Sequence, residues 1–562
     1  MLRLALVAAL AVPSARAAAY VNSSTDYESG ALGQGPYQTF KSSSSQPAMW
    51  NFNVFPSETP QEGSIFIAPR GTDAVAPGPY IYDAYGDLIW DGSAYGESMS
   101  FATYTYQNNT VIALWQGSFN SAGYGSGHGL LLDDTYSVIA NISTTVANST
   151  MDFHEFALTD NNTALFTVYV LEQMNLTTWS GPGDGYILVG YMQEVDIATG
   201  EALFTWRSLD HVNPSECYAG VGSTGVSATS PWDYFHINAI EKDDSGNYLI
   251  SSRHCKALYY LDGTDGSIIW RLGGSNSSFT MGANTTFEWQ HDARFRDGNT
   301  TISLFDNAAT SWEQNATESR GMVLTMDYTS MTVELAEQTL PYNASLSESQ
   351  GSMELQPNSN WLMGWGQEPY LSEYSHDGTM LWSAQFGVGN VQGYRASRGN
   401  WTAYPTTTPA MNVTKDDTAA TYDIYVSWNG ATEISSWELL GSDSDAAKGT
   451  SLANVTKTGF ETSFTLQQSD VSATYFQARA LTASGETLGW THFFASNGTD
   501  AAPATSDETA AVEVTATATF TSASATSSAT TGNTSSAAQA RVGVPRSGAA
   551  AVLGLALTVF IL

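Results

Sequence analysis

Charge is scarce in this chain, and positive charge is scarcest. Charged residues make up 13 % of 562 residues, and 55 acidic side chains against 20 Lys and Arg give a formal net charge of −35. A surface of that sign repels nucleic acid and anionic lipid headgroups, which excludes DNA, RNA and peripheral-membrane partners. Cysteine is nearly absent, with only Cys217 and Cys255. Long helical patterns are missing as well. No Gly-x-Ser-x-Gly elbow, Walker A loop or His-Glu-x-x-His pair occurs, so the motif-bearing hydrolases, NTPases and zinc proteases find no support. Long apolar runs are confined to the two ends, and both are shorter than the roughly 20 residues of a membrane-spanning helix.

Those two ends read as processing signals. Arg3 precedes the apolar run Leu4–Val12, and Ala15-Arg16-Ala17 offers a small-x-small cleavage site, so residues 1–17 are expected to be a secretory signal peptide. Residues 498–538 lack periodicity and are rich in Ser, Thr and Ala, the composition of a disordered, O-glycosylated stalk. Small residues at Ser536-Ala537-Ala538, a polar spacer and the apolar Ala549–Leu562 fit a GPI-anchor signal over 539–562. A C-terminal membrane anchor is the alternative. Sixteen Asn-x-Ser/Thr sequons, from Asn22 to Asn533, suit a glycosylated extracellular chain. In that oxidising compartment Cys217 and Cys255 are expected to be bridged.

What is abundant is strand material. Aromatics reach 12 %, with 16 Trp and 28 Tyr, and short alternating runs are separated by Gly, Asp and Asn turns. A hairpin closing on Trp recurs at Tyr80–Trp90, Val195–Trp206, Tyr260–Trp270 and Glu373–Trp382, with weaker copies at Leu131–Ile142 and Leu324–Leu335. Six such hairpins at the spacing of propeller blades predict an all-β, six-bladed β-propeller over 45–405. Within it, Tyr234–Glu241, Tyr248–Arg253, Ala257–Leu261 and Ser267–Arg271 read as the four strands of one blade. A different alternation, from Tyr422–Trp428 to Tyr475–Leu481, predicts a small immunoglobulin- or fibronectin-like β-sandwich over 415–497.

The first strand of each blade lines a propeller's central channel, so polar residues there converge. His154, His236 and His291 open three consecutive blades, and Gln350 opens the next. A hairpin turn near Ser245 pairs His236 with Arg253 or His254, with Cβ atoms about 5 Å apart. A neutral imidazole can be a nucleophile toward sulfur or phosphorus, and a guanidinium can neutralise the oxygens around that atom. A second imidazole can move the proton of a leaving and an entering hydroxyl. Three histidines also suit zinc, but Arg253 is a poor neighbour for a cation, so no metal and no cofactor is expected. The Gly220–Gly225 string has the Gly-x-Gly-x-x-Gly spacing without a strand–helix unit and reads as a loop.

The strings Trp232–Ile240, Asn247–His254, Gly266–Gly274, Trp289–Phe295, Ser303–Asn307, Ser319–Gly321 and Gly364–Pro369, in that order, resemble the arylsulfotransferase (ASST) family, nearest to its secreted fungal branch. The resemblance implies a six-bladed propeller that moves a sulfuryl group from a phenolic sulfate to a phenolic acceptor without the nucleotide donor PAPS, through a sulfohistidine. By the same resemblance His291 is the nucleophile, His236 and Arg253 bind the sulfuryl oxygens, with His236 also an acid/base candidate, Asn238 is a supporting donor and His154 completes the site. The bacterial members lack the sandwich and the anchor-like tail. The alternative function is a glycosylated propeller that binds or adheres at the cell surface or wall without catalysis.

Overall fold

The computed structural model describes residues 18–57, 60–120 and 123–497. The expected signal peptide, stalk and anchor signal therefore lie outside the described residues. Among the described residues strands dominate, and no helix is long and apolar enough to cross a membrane.

Turn chemistry sets the strand lengths. In the hairpin after Ile237–Lys242, Asp243 Oδ1 accepts the N–H groups of Ser245 and Asn247, both at 2.9 Å, and Gly246 takes the left-handed φ of 85° that the reversal needs. Asp83 and Asp133 cap their own hairpins in the same way. An Asp carboxylate fits because it is short enough to reach the N–H groups of the residues just after it.

Four-stranded antiparallel ladders follow one another along the chain. Their first strands are Ser98–Tyr106, Met151–Leu158, Ile237–Lys242, His291–Arg296 and Ser352–Leu355. A further ladder is built from both ends of this region: Gln392–Gly399 supplies its first strand and pairs with Ser64–Arg70, which pairs with Tyr80–Tyr82, which in turn pairs with Leu88–Asp91. The six first strands touch in cyclic order, with Gln392–Gly399 against both Ser98–Tyr106 and Ser352–Leu355. Ladder faces pack on one another through aromatic and aliphatic cores, such as Leu249, Leu258, Trp270 and Leu272 against Phe295, Ile302, Leu304 and Leu324. The strands Trp50–Val54 and Tyr20–Asn22 extend the ladder that begins at Ser352–Leu355, at its outer edge beyond Met380–Gln385.

Five of the six first strands share an irregularity. Register shifts fall at Met99/Ala102, Met151/Phe156, Ile237/Ala239, His291/Arg294 and Gly393/Ala396. Such bulges re-aim side chains next to functional sites. Ser100, His236 and Asp292 hold φ near +50° at these points. The blade strand expected to begin at Tyr234 accordingly begins at Ile237, because Asp233 caps the His236 N–H at 3.0 Å and holds the backbone out of the ladder.

After Trp401 the chain forms two further sheets. Ala410–Asp416, Thr421–Ser427 and Glu461–Gln467 make one; Ser436–Ser442, Thr450–Thr456, Tyr475–Leu481, Thr487–Trp490 and Phe494–Ala495 make the other. Ile424, Val426 and Phe464 from the first meet Trp437, Leu439 and Phe476 from the second in one core.

Candidate active site

Histidines at the heads of three first strands collect where the bulges are: His154 and His291 lie in their strands, His236 just before Ile237–Lys242, and Arg253 joins them from the turn after Tyr248–Ser252. His154 and His236 have ring centroids 4.6 Å apart, and His236 and His254 are again 4.6 Å apart. The Arg253 N–H donates to the His236 carbonyl at 2.9 Å, which seats the guanidinium-bearing residue beside that imidazole. Tyr394 stands between the remaining members, its ring 6.0 Å from His154 and 6.3 Å from His291. His291 is 2 % exposed and lies within electrostatic reach of Arg253, His236 and His154. The structure thus brings together all four residues expected to carry chemistry.

Each imidazole is held by Nδ1, but by a different partner. His154 Nδ1 lies 2.6 Å from Asp152 Oδ1, and the buried Asp152 is itself fixed by Gly125 N–H at 2.7 Å and Thr167 Oγ1 at 2.9 Å. His236 Nδ1 lies 2.5 Å from Asp233 Oδ2. His254 Nδ1 donates to the Asp233 carbonyl at 2.6 Å. His291 Nδ1 lies 2.7 Å from Asn307 Oδ1. The Asn307 amide cannot be turned round, because its Nδ2 donates to Ser347 O at 3.0 Å and Gln350 O at 2.9 Å. His291 must therefore donate through Nδ1, and its Nε2 carries the lone pair. Among the described residues that Nε2 accepts only the Gln350 backbone N–H, at 3.3 Å.

These partners separate the roles. A carboxylate on Nδ1–H can support an imidazolium as a proton arrives, which suits His236 to proton transfer. A neutral amide gives no such support. Burial, with the Arg253 charge beside it, pushes the His291 imidazole well below its ordinary range and keeps it neutral near pH 7. Burial also lowers His236, with help from His154 and Arg253, and lowers His254 to about 3. Burial raises the Asp233 carboxyl. Arg253 falls to about 10 by burial and so stays charged at neutral pH. Its Nη2 donates to Glu348 O at 2.7 Å and its Nη1 lies 3.2 Å from His254 Nε2, while Nε finds no partner among the described residues. The guanidinium also lies 5.7 Å from the Trp289 ring centroid.

Asn238 sits below this group, fully buried. Its amide nitrogen donates to Gln290 O at 2.7 Å, and its own carbonyl accepts Arg395 Nη2 at 2.9 Å. The side chain expected to donate to a ligand is thus committed to the neighbouring ladder, although its Oδ1 has no partner among the described residues. Glu155, Asp292, Arg294 and Arg395 form a buried ionic floor, with Glu155 bonded to Arg294 and Arg395 at 2.7 Å each. Cys217 and Cys255 are joined by a disulfide, immediately after His254.

Asp233, His236 and His254 have ligand atoms within 4.8 Å of one another, the spacing of a metal site. Both Nδ1 atoms point to Asp233, however, and Arg253 adjoins His254 Nε2, so a cation there faces a fixed positive charge. The arrangement suits an anion better. The residues missed at sequence level are the second partners Asp152, Asp233, Asn307 and Tyr394, while His254 was read only as an alternative cross-strand neighbour of His236. Asp-x-His at 152–154 and Asp-x-x-His at 233–236 were visible spacings. Asn307 was not, because it meets His291 only across the register that pairs His291 with Phe305.

No curated protein matches the chain. Solved structures with distant likeness include a Bacteroides caccae protein of unknown function (11 % identity, TM-score 0.35), covering 60 % of this chain and 99 % of its own. The periplasmic gluconolactonase of Pseudomonas aeruginosa (9 %, TM-score 0.32) covers 72 % and 99 %, and a streptogramin B lyase (10 %, TM-score 0.29) covers 67 % and 94 %. Likenesses this weak add nothing to the fold or site described above. The Arylsulfotransferase (ASST) family model, by contrast, matches residues 103–387, just over half of the 562 residues and a span holding His154, His236, Asn238, Arg253 and His291. On that match the chain belongs to the arylsulfotransferase family.

Proposed function

We propose that this chain is a PAPS-independent aryl sulfotransferase, nearest to the secreted fungal branch, working by ping-pong transfer through a sulfohistidine. The observation that carries it is the fixed tautomer of His291: Nδ1–H is tied to an amide that cannot rotate, so the lone pair lies on a neutral Nε2, which is engaged by the Gln350 N–H at the long distance of 3.3 Å and exchanges that contact for the substrate. In the first half-reaction Nε2 attacks the sulfur of a phenolic sulfate. The N–S bond forms as the S–O(aryl) bond breaks, and the phenolate takes a proton from His236. An anionic donor raises the proton affinity of that imidazole on binding, and Asp233 supports its charged form. Arg253 holds the sulfuryl oxygens. In the second half-reaction an acceptor phenol gives its proton back to His236 while its oxygen attacks the sulfur and releases His291. Atoms, charge and protons balance over the cycle.

The six ladders whose first strands touch in a ring support a six-bladed propeller, and the two C-terminal sheets support an immunoglobulin- or fibronectin-like module. The disulfide suits the secreted, cell-surface setting with a C-terminal anchor that the sequence suggests. The test is mass spectrometry of the purified protein after brief exposure to 4-nitrophenyl sulfate. A peptide 80 Da heavier at His291, absent from folded His291→Ala protein, is the expected result (about 80 Da being the added SO3). Turnover without a sulfated histidine, or no turnover with several aryl sulfates, overturns the reading.

A further inference from the structure

The row of imidazoles ends on an exposed indole. Trp312 is 51 % exposed, an uncommon state for so large an apolar side chain. Its ring centroid lies 6.2 Å from His254, at 68°, and 5.8 Å from the fully buried Trp289, at 81°. His254 in turn contacts Arg253. Thus one edge of the indole is fixed against the site while the rest is open.

The loop that carries Trp312 is tightly tied. Thr310 Oγ1 accepts the Trp312 N–H at 3.2 Å and the Glu313 N–H at 2.9 Å, and Thr310 N–H donates to Glu313 O at 2.7 Å. Asn315 N–H donates to Ala308 O at 2.8 Å, and Trp289 Nε1 donates to Asn315 Oδ1 at 3.0 Å. An exposed indole on a floppy loop has no defined use. One clamped at three points and seated edge-on against an imidazole is already organised for a flat partner, which keeps the ordering cost of binding low.

We propose that Trp312 is the aryl-binding platform of this site, stacking on the aromatic ring of the donor or acceptor while the sulfuryl group reaches Arg253. The inference rests on the sulfotransferase reading for the chemistry of the ligand. It adds a specificity-determining residue: the site selects flat aryl over alkyl sulfates because only an aryl ring gains the indole face.

The test separates binding from turnover. Full-length His291→Ala protein, unable to form the covalent intermediate, is titrated calorimetrically with 4-nitrophenyl sulfate and with ethyl sulfate. Adding Trp312→Ala weakens the aryl sulfate on the order of tenfold and leaves ethyl sulfate unchanged; adding Trp312→Phe restores most of the loss. Unchanged aryl affinity in the Trp312→Ala protein, or equal weakening of both ligands, overturns the proposal, the latter because it shows a merely structural role. An aryl preference that depends on Trp312 in a protein whose parent transfers no sulfate sustains the platform and defeats the transferase reading alone.

Discussion

At the scale of single residues, the same imidazole chemistry is divided by what touches Nδ1. Replacing the amide that holds His291 by a carboxylate, Asn307→Asp, should support the imidazolium and raise the His291 proton affinity. Because activity needs neutral Nε2, the acid limb of the kcat/KM profile should move to higher pH, from well below 6.5 toward neutrality. A folded variant with an unmoved limb shows that His291 is not the titrating group. Arg253→Lys keeps the charge but loses the planar fork, so transfer should fall on the order of 10²-fold or more with little change in melting temperature. Glu354, far from these groups in function, is pushed up to about 7 by burial. The folded state therefore holds a proton that the unfolded chain has lost between about pH 4.5 and 7, and stability through this group falls as pH rises across that window. Glu354→Gln should match the parent's melting temperature near pH 4.5 and exceed it by a few degrees at pH 8.

At the scale of elements, the bulge at the head of five of the six first strands is the device that makes a site. A regular strand sends alternate side chains to its two faces, where they pack against neighbouring ladders. The shifts at Met151/Phe156 and His291/Arg294 break that alternation at His154 and His291, and the shift at Ile237/Ala239 does so next to His236, whose own φ is near +50°. The disulfide from Cys217 to Cys255 pins the turn that follows Arg253 and His254, closing a loop of 38 residues. Its removal in Cys217→Ala/Cys255→Ala should lower stability by roughly 4 kcal/mol in the chain-entropy account. Urea unfolding measures this, and transfer should weaken in parallel as Arg253 loses its fixed position. Loss of stability with full transfer shows that the bridge braces the fold without positioning the site.

At the scale of the whole molecule, the C-terminal sheets are built into the ladder that closes the ring. Glu461 Oε2 accepts Lys41 N–H at 2.8 Å, and Ser42 N–H and Oγ–H at 2.6 Å each. Asn429 caps both the N–H and the carbonyl of Asp91, and Phe40 packs on Phe460 with centroids 4.6 Å apart. Truncation after residue 405 should therefore expose Phe40 and strand three donors at Ser42 and Lys41. A soluble fragment that melts as the full chain does would show the two parts to be energetically independent. Glu461→Ala, a milder cut, should cost about 1–3 kcal/mol, the penalty of orphaned partners.

The sequence by itself determined the all-β character, the turn positions and the placing of His236 opposite Arg253 or His254. These follow from local rules: strand alternation, the short reach of Asp side chains in turns, and hairpin register. It also marked His154, His236 and His291 as equivalent in order along the chain. Only the tertiary structure decided which partner each imidazole has. The Asn307 amide is fixed by carbonyls of Ser347 and Gln350, some forty residues on in the next ladder, and Trp312 reaches His254 across two ladders. A tautomer is set by a single hydrogen bond, and a hydrogen bond between residues so far apart in sequence exists only once the ring of ladders has closed.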